Sequence, residues 1–194
     1  MRVIAGSARR LLLVTVDGND TRPTGDKIKE TLFNMLNFEL PGAVFVDLYS
    51  GSGAIAIEAL SRGAQKAYLV ENNRKAAACI QKNLETTHFT EQGELMICDV
   101  MAGIRKLEGR GVKADIIFMD PPYNHEYEKN VLERLRNSSL VDDSTLIVVE
   151  ASKETEFDYA QEFGYQLERE KVYKSSRHEF FRRKSAAAEA SENE

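Results

Sequence analysis

From residue 43 onward, short apolar runs alternate with segments of helical spacing, and this alternation constrains the fold more than any other feature. AVFVDLY at 43–49 is nearly continuous in apolar residues, as expected of a strand buried on both faces. A glycine-rich turn at 51–53 leads into a helix, AIAIEALSRG, which Gly63 ends. KAYLVE (66–71), ELMICD (94–99), DIIFMD (115–120) and STLIVVE (144–150) read as further strands. Helical segments at 73–87, 101–108 and 125–137 separate them. The stretch 164–183 reads as two strands around a turn near Ser175-Ser176, an antiparallel hairpin. Strand–helix repeats of this kind build an α/β fold: a mostly parallel sheet, seven-stranded with the hairpin, covered by helices on both faces.

Ahead of this core, Arg2–Ile4 and Leu11–Val16 read as two short strands around Gly6-Ser7, and residues 17–20 as a loop. RPTGDKIKETLFNML then has helical spacing, with Thr24 or Asp26 as cap and Ile28, Leu32, Met35 and Leu36 on one face; Pro41-Gly42 breaks it. The expected organisation is a hairpin-and-helix extension at 1–40, a main domain at 41–184 and a disordered tail at 185–194.

The net charge is −5, which taken alone argues against a nucleic-acid partner, but its distribution is uneven. Residues 1–29 carry six Lys/Arg against three Asp/Glu, and residues 165–184 carry seven against three. Local basic surface, rather than net charge, steers a protein to phosphates. Arg9, Arg10 and Arg22 are the candidate phosphate contacts. No apolar run approaches the ~18 residues of a membrane span, and the arginines of MRVIAGSARRLLLV interrupt what a secretion signal would keep apolar. Cys79 and Cys98 are far apart and have neither disulfide-framework nor zinc spacing, so a reducing cytoplasm is the expected home and no metal is expected. Cys79 in a helix and Cys98 within a strand are expected in the core. His88, His125 and His178 show no ligand spacing and read as structural or surface residues, with His125 near the reactive loop.

Ligands of open parallel sheets bind beyond the carboxyl ends of the strands, and the unusual residues fall there. The first strand runs out into Asp47-Leu48-Tyr49-Ser50-Gly51-Ser52-Gly53, whose glycines allow close approach of the backbone to a ligand. The second ends in Glu71, twenty residues after Gly51, where a carboxylate can take both hydroxyls of a ribose. The third ends in Asp99, placed to accept from an adenine amino group. GSGAIA also fits a dinucleotide fingerprint. Asp47 discriminates: a carboxylate repels a pyrophosphate but attracts the amine of a methionine moiety, which favours S-adenosylmethionine over a nicotinamide cofactor.

The fourth strand ends in Asp120-Pro121-Pro122-Tyr123. Two prolines remove two amide donors and hold the chain's direction, leaving the Asp120 side chain and the Pro121 carbonyl as acceptors. An exocyclic amino group on a base needs such acceptors, because its lone pair is delocalised until its hydrogens are held. Tyr123 offers a face for base stacking, worth about 1–3 kcal/mol.

RVIAGSARR, RPTGDKIKETLFNML, DLYSGSGAIAIEALSRGA, VEN at 70–72 and FMDPPY together resemble the bacterial family that methylates guanine N2 in 16S ribosomal RNA. The resemblance covers about residues 1–183 and implies a Rossmann-like class I methyltransferase fold. It implies that Tyr49, Gly51, Ser52, Gly53, Glu71, Asn72, Asp99 and Val100 hold S-adenosylmethionine with Asp47, and that Asp120 to Tyr123 hold the guanine amino group. It also implies that the N-terminal hairpin and Arg22-Pro23-Thr24 meet RNA; the expected partner is 16S ribosomal RNA within a small-subunit particle, and the expected state is a monomer. Asp99 stands where the family often carries Asn, a change that keeps an acceptor. Other readings of the same motifs are a DNA adenine-N6 methyltransferase, a non-enzymatic RNA-binding ribosome assembly factor and a nicotinamide oxidoreductase.

Overall fold

A computed structural model describes residues 1–16, 23–123 and 125–184. The helices are α1 (Pro23–Met35), α2 (Ala54–Ser61), α3 (Arg74–Thr87), α4 (Val100–Gly109), α5 (Tyr127–Leu135) and α6 (Asp158–Glu162). The strands are β1 (Val44–Asp47), β2 (Lys66–Glu71), β3 (Gly93–Ile97), β4 (Ile116–Met119), β5 (Leu146–Ser152), β6 (Tyr165–Val172) and β7 (Ser176–Arg183). They form a seven-stranded sheet in the order β3-β2-β1-β4-β5-β7-β6, mostly parallel, with an antiparallel C-terminal hairpin as expected. Contacts divide the chain into two compact units, residues 1–103 and residues from 104 onward.

In the first unit, β1, β2 and β3 run parallel, with Asp47 opposite Leu69 and Glu71 opposite Ile97. Phe45, Val46, Leu69 and Val70 are fully buried, each contributing about 1.5–3 kcal/mol of apolar burial. β1 is shorter than its apolar run suggests, because the chain turns out of the sheet after Asp47. β3 likewise stops at Ile97, so Asp99 lies beyond the strand rather than on it.

The two expected N-terminal strands reduce to one antiparallel bridge, between Arg2 and Leu12. Side chains of α2 and α3 explain the difference, because they take the backbone groups a strand partner would have taken. Ile4 and Ala5 donate their amides to the Glu58 carboxylate at 2.7 and 2.9 Å. The Ala8 amide donates to Ser61 Oγ at 3.0 Å, and the Val14 amide to Asn83 Oδ1 at 2.8 Å. Helix α1 starts at Pro23, where a proline costs no hydrogen bond, so Asp26 and Thr24 stand inside its first turn instead of capping it. Leu32 and Leu36 of its expected apolar face are buried, while Ile28 and Met35 are half-buried.

In the second unit, β4 and β5 pair in parallel and both are largely buried. β7 pairs antiparallel with β5 on one side and β6 on the other. Tyr165 donates its hydroxyl to the Leu132 carbonyl at 2.8 Å. The Arg183 guanidinium holds the carbonyls of Leu135, Ser138 and Val141, which anchors the hairpin to the end of α5. Helix α6 was not expected; its single turn is too short to carry a periodic pattern. The expected loop at 17–20 and the tail at 185–194 lie outside the described residues. No helix of the described residues is long and apolar enough to cross a membrane.

Candidate active site

The first unit assembles a polar rim where β1, β2 and β3 run out. Gly53 adopts a left-handed conformation (φ 78°) to start α2, and a Cβ there would meet Leu69 Cδ2 at 3.0 Å and Ile80 Cγ1 at 3.3 Å. Gly51 is also left-handed (φ 53°), yet a Cβ on it would point into open space. Glycine at 53 therefore answers to packing, whereas at 51 it leaves an exposed backbone edge. Ser52 is tied to α3 through its carbonyl, which accepts from Asn83 Nδ2 at 2.9 Å.

Glu71 holds this loop. Its Oε2 accepts from the Gly51 amide at 2.8 Å and its Oε1 from the Asn73 amide at 2.7 Å. Each carboxylate oxygen retains a further lone pair, so hydroxyl donors can still be received. Asn73 in turn caps α3, accepting from Lys75 N at 2.8 Å. Tyr49, Glu71, Asn72 and Val100 line a common recess of about 40 Å³ with Leu48, Val70 and Cys98. Four residues expected on a cofactor are thus brought together. Cys98 was expected in a strand and in the core, but it lies past β3 and half-exposed on this recess; Cys79 is likewise half-exposed. Asp99 is exposed and caps α4 by accepting from the Ala102 amide at 2.8 Å.

Asp47 is 1% exposed, and neither carboxylate oxygen has a donor in hydrogen-bond geometry. Burial pushes its carboxyl up to about 7; the nearby amides of Tyr49 and Ala56 and the Ser50 hydroxyl oppose this only in part. The Ser50 hydroxyl is itself committed to the Asp47 carbonyl at 2.9 Å, so the carboxylate is best regarded as unsatisfied. A buried anion without donors is costly, and an incoming ammonium would supply the missing partner. The donor set therefore fits an amine-bearing ligand and fits a pyrophosphate poorly.

In the second unit, β4 ends at Met119, so Asp120 follows the strand and is exposed. Pro121 is buried behind it, while Pro122 and Tyr123 are exposed, Tyr123 by 38%. Burial, then the charges of Glu150 and Asp120, push the Tyr123 phenol above the usual tyrosine range. Sequence reasoning missed the Glu150 charge near this turn, since a strand far along the chain carries no local sign of what it meets.

The N-terminal arginines occupy a separate hollow of about 630 Å³, lined by Arg2, Arg9, Arg10 and Lys27 together with Asp26 and Glu30. Arg9 and Arg10 are exposed, and Arg10 has a left-handed backbone (φ 73°). Arg22 lies outside the described residues; Pro23 and Thr24 open α1. Much of the basic excess is spent internally. Lys29 is 4% exposed, donates to the Arg2 carbonyl at 2.6 Å and pairs with Glu58 at 3.4 Å; burial lowers its pKa despite that partner. Near the C-terminus, Arg182 pairs with Glu168 and Arg177 with Glu170 and Glu179. The described residues contain no cluster of three His, Cys, Asp or Glu side chains placed to hold a metal ion. His88 caps α3 in a left-handed conformation, His125 stacks on Tyr127 with centroids 5.3 Å apart, and His178 is fully buried.

Known proteins resemble this chain in sequence and in fold. Residues 1–182 match the family described as Conserved hypothetical protein 95. YlbH of Bacillus subtilis is 35% identical over 156 residues, covering 80% of this chain and 85% of that protein. The Ribosomal RNA small subunit methyltransferase D of Escherichia coli K12 is 33% identical over 172 residues, covering 89% of this chain and 84% of its own. The solved structure of yhhF from Escherichia coli is 30% identical, with a TM-score of 0.81 over 95% of this chain and 98% of that one. Extending over nearly all the described residues, the glycine loop and the Asp-Pro-Pro-Tyr turn included, these matches show that the chain belongs to the ribosomal RNA small subunit methyltransferase D family.

Proposed function

We propose that this protein transfers a methyl group from S-adenosylmethionine to the exocyclic N2 of a guanine in 16S ribosomal RNA. The donor-free carboxylate of Asp47 carries the cofactor reading, because it suits an ammonium and opposes a phosphate. The substrate class rests on the relatives from Haemophilus influenzae and Escherichia coli, which are ribosomal RNA small subunit methyltransferases. Guanine N2 rests on the resemblance of the whole motif set.

In this reading Asp47 meets the amine, Glu71 the ribose hydroxyls and Asp99 the adenine amino group. Tyr49, Gly51, Ser52, Gly53, Asn72 and Val100 complete the cofactor site. When bound, the cofactor supplies a methyl group on a positively charged sulfonium. Tyr123 stacks on the target base, which must be unpaired or flipped out to arrive there. Asp120 and the Pro121 carbonyl accept from the amino group and hold its hydrogens. One N–C bond forms as one S–C bond breaks, and the nitrogen's surplus proton passes to Asp120 or solvent. Positioning and electrostatics dominate, as for other transfers without a strong base. Arg9, Arg10, Arg22, Pro23 and Thr24, on the extension spanning 1–40, meet the RNA backbone.

The test is transfer of tritiated methyl to naked 16S RNA, to small-subunit particles and to DNA, with nucleoside analysis of the product. N2-methylguanosine from either ribosomal substrate is expected. Asp120→Ala should abolish it while leaving affinity for S-adenosylhomocysteine largely intact. Label on DNA adenine, no label at all, or undiminished turnover by the Ala variant would each overturn the reading.

A further inference from the structure

Asn83, on α3, is not among the residues assigned to cofactor or RNA, yet its side chain bonds to both of those regions. It is 1% exposed. Its Oδ1 accepts from the Val14 amide at 2.8 Å, and its Nδ2 donates to the Val14 carbonyl at 2.9 Å. The same Nδ2 donates to the Ser52 carbonyl, also at 2.9 Å. A carboxamide nitrogen has two hydrogens, so both donors are spent, one on each carbonyl. The Val14 amide fixes which way round the group stands, because a flipped carboxamide would set its oxygen against two carbonyls. Towards Val14, Asn83 therefore acts as a strand partner, exchanging both backbone bonds as a hydrogen-bonded antiparallel pair does. Towards Ser52, it holds the glycine loop one residue beyond the Gly51 amide that Glu71 holds.

A buried group whose donors are divided between two backbones passes a change in one to the other. Neither carbonyl can move off without leaving a buried hydrogen unpaired, which is costly. We propose that Asn83 is a positioning residue that couples docking of the N-terminal segment at Val14 to the shape of the loop at 51–53, so that filling the cofactor site fastens the segment. The proposal rests on the functional reading above, in which Ser52 belongs to the cofactor site and the N-terminal extension meets RNA. Such coupling is reciprocal: a docked segment strengthens cofactor binding by the same factor with which the cofactor strengthens docking. The two substrates of the proposed transfer are thereby linked through one side chain.

Hydrogen exchange at the Val14 amide, with and without saturating S-adenosylhomocysteine, decides it. In the wild type the ligand should slow this exchange about fivefold. In Asn83→Leu, which keeps a branched side chain and removes its polar atoms, exchange should be fast and indifferent to the ligand. A merely structural Asn83 would lower protection in the variant but leave the ligand's increment in place. That result, or no increment in the wild type despite binding, would overturn the coupling. If Asn83→Leu does not fold, Val14→Pro serves, since it removes the amide that Oδ1 holds. Its affinity for S-adenosylhomocysteine, measured by calorimetry, should fall about fivefold although residue 14 lies outside the proposed cofactor site. Unchanged affinity there would overturn the coupling as well. If the wild type binds no S-adenosylhomocysteine, the functional reading fails instead, and Glu71→Ala still tests the link. Losing the hold on Gly51 should speed exchange at Val14 more than at Ile4 and Ala5, whose amides Glu58 holds. An effect at Val14 no greater than at those two amides would count against Asn83 as the connection and overturn it.

Discussion

The Glu71 carboxylate accepts the Gly51 amide at 2.8 Å, joining residues 20 apart in sequence and making the glycine loop a fixture of the β2 end. The same side chain holds the Asn73 amide at 2.7 Å and so also sets the entry to α3. A residue expected to serve a ribose is therefore also the loop's own support.

Replacing Glu71 with Ala should act on both roles. Two charge-assisted hydrogen bonds are lost at a partly exposed site, so screening limits the stability loss to about 1–2 kcal/mol. Affinity for S-adenosylhomocysteine should fall at least about tenfold, since the loop loses its support along with the acceptor. Calorimetry and urea unfolding measure the two effects. Unchanged affinity would contradict the assignment.

Asp47 should give the protein a pH dependence of definite sign. Burial lifts its carboxyl in the folded state to about 7, above its ordinary 3.8. Between those values the folded chain keeps a proton that the unfolded chain loses, so stability falls as pH rises through this window and levels off above it. Asp47→Asn, which carries no titrating group, should lack that slope in urea unfolding at about pH 5 and about pH 8. Cofactor binding should show the opposite trend in the wild type, strengthening through about 7 as Asp47 ionises, and the Asn variant should flatten it.

Glu58 is 0% exposed and receives the Ile4 and Ala5 amides as well as Lys29 and Arg62. Glu58→Gln leaves the buried Lys29 short of its counter-charge, and loss of one partner of a buried pair costs about 3–5 kcal/mol. Hydrogen exchange at the Ile4 and Ala5 amides should accelerate more than at the β1 amides. Equal protection of these amides in the wild type and in Glu58→Gln would show that the segment is held by other contacts.

Gly6 and Gly42 offer a controlled comparison, because both are left-handed, at φ 82° and 79°. A Cβ on Gly42 meets nothing within 4 Å, whereas one on Gly6 would fall 1.7 Å from the Ser61 carbonyl oxygen. Gly42→Ala should cost about 1–2 kcal/mol, the backbone penalty alone. Gly6→Ala should cost distinctly more, or undock the segment from α2. Similar melting temperatures for the two would refute the close approach.

Legibility differed by the range of the interactions involved. The strand–helix alternation was readable because a twofold-buried strand such as Ile116–Met119 must be apolar throughout, wherever it later packs. The positions of Glu71 and of the Asp120–Tyr123 turn were readable because strand ends follow from strand extents. Helix α6 was too short for periodicity, and the N-terminal strands failed because β propensity assumes a strand partner. Here the partners were Glu58, Ser61 and Asn83. The basic balance near the C-terminus misled similarly, since composition counts Arg177 and Arg182 without seeing Glu170 and Glu168 opposite them.

The sequence by itself determined the order of elements, the glycine loop, the carboxylates at the strand ends and the Asp-Pro-Pro-Tyr turn, all set by local spacing. Only the tertiary structure decided that Glu71 grips Gly51, that Asp47 is buried without a donor, and that Glu58 holds the Ile4 and Ala5 amides. Those relationships join residues distant along the chain, and whether a carboxylate is satisfied, screened or stranded depends on the groups that folding packs around it.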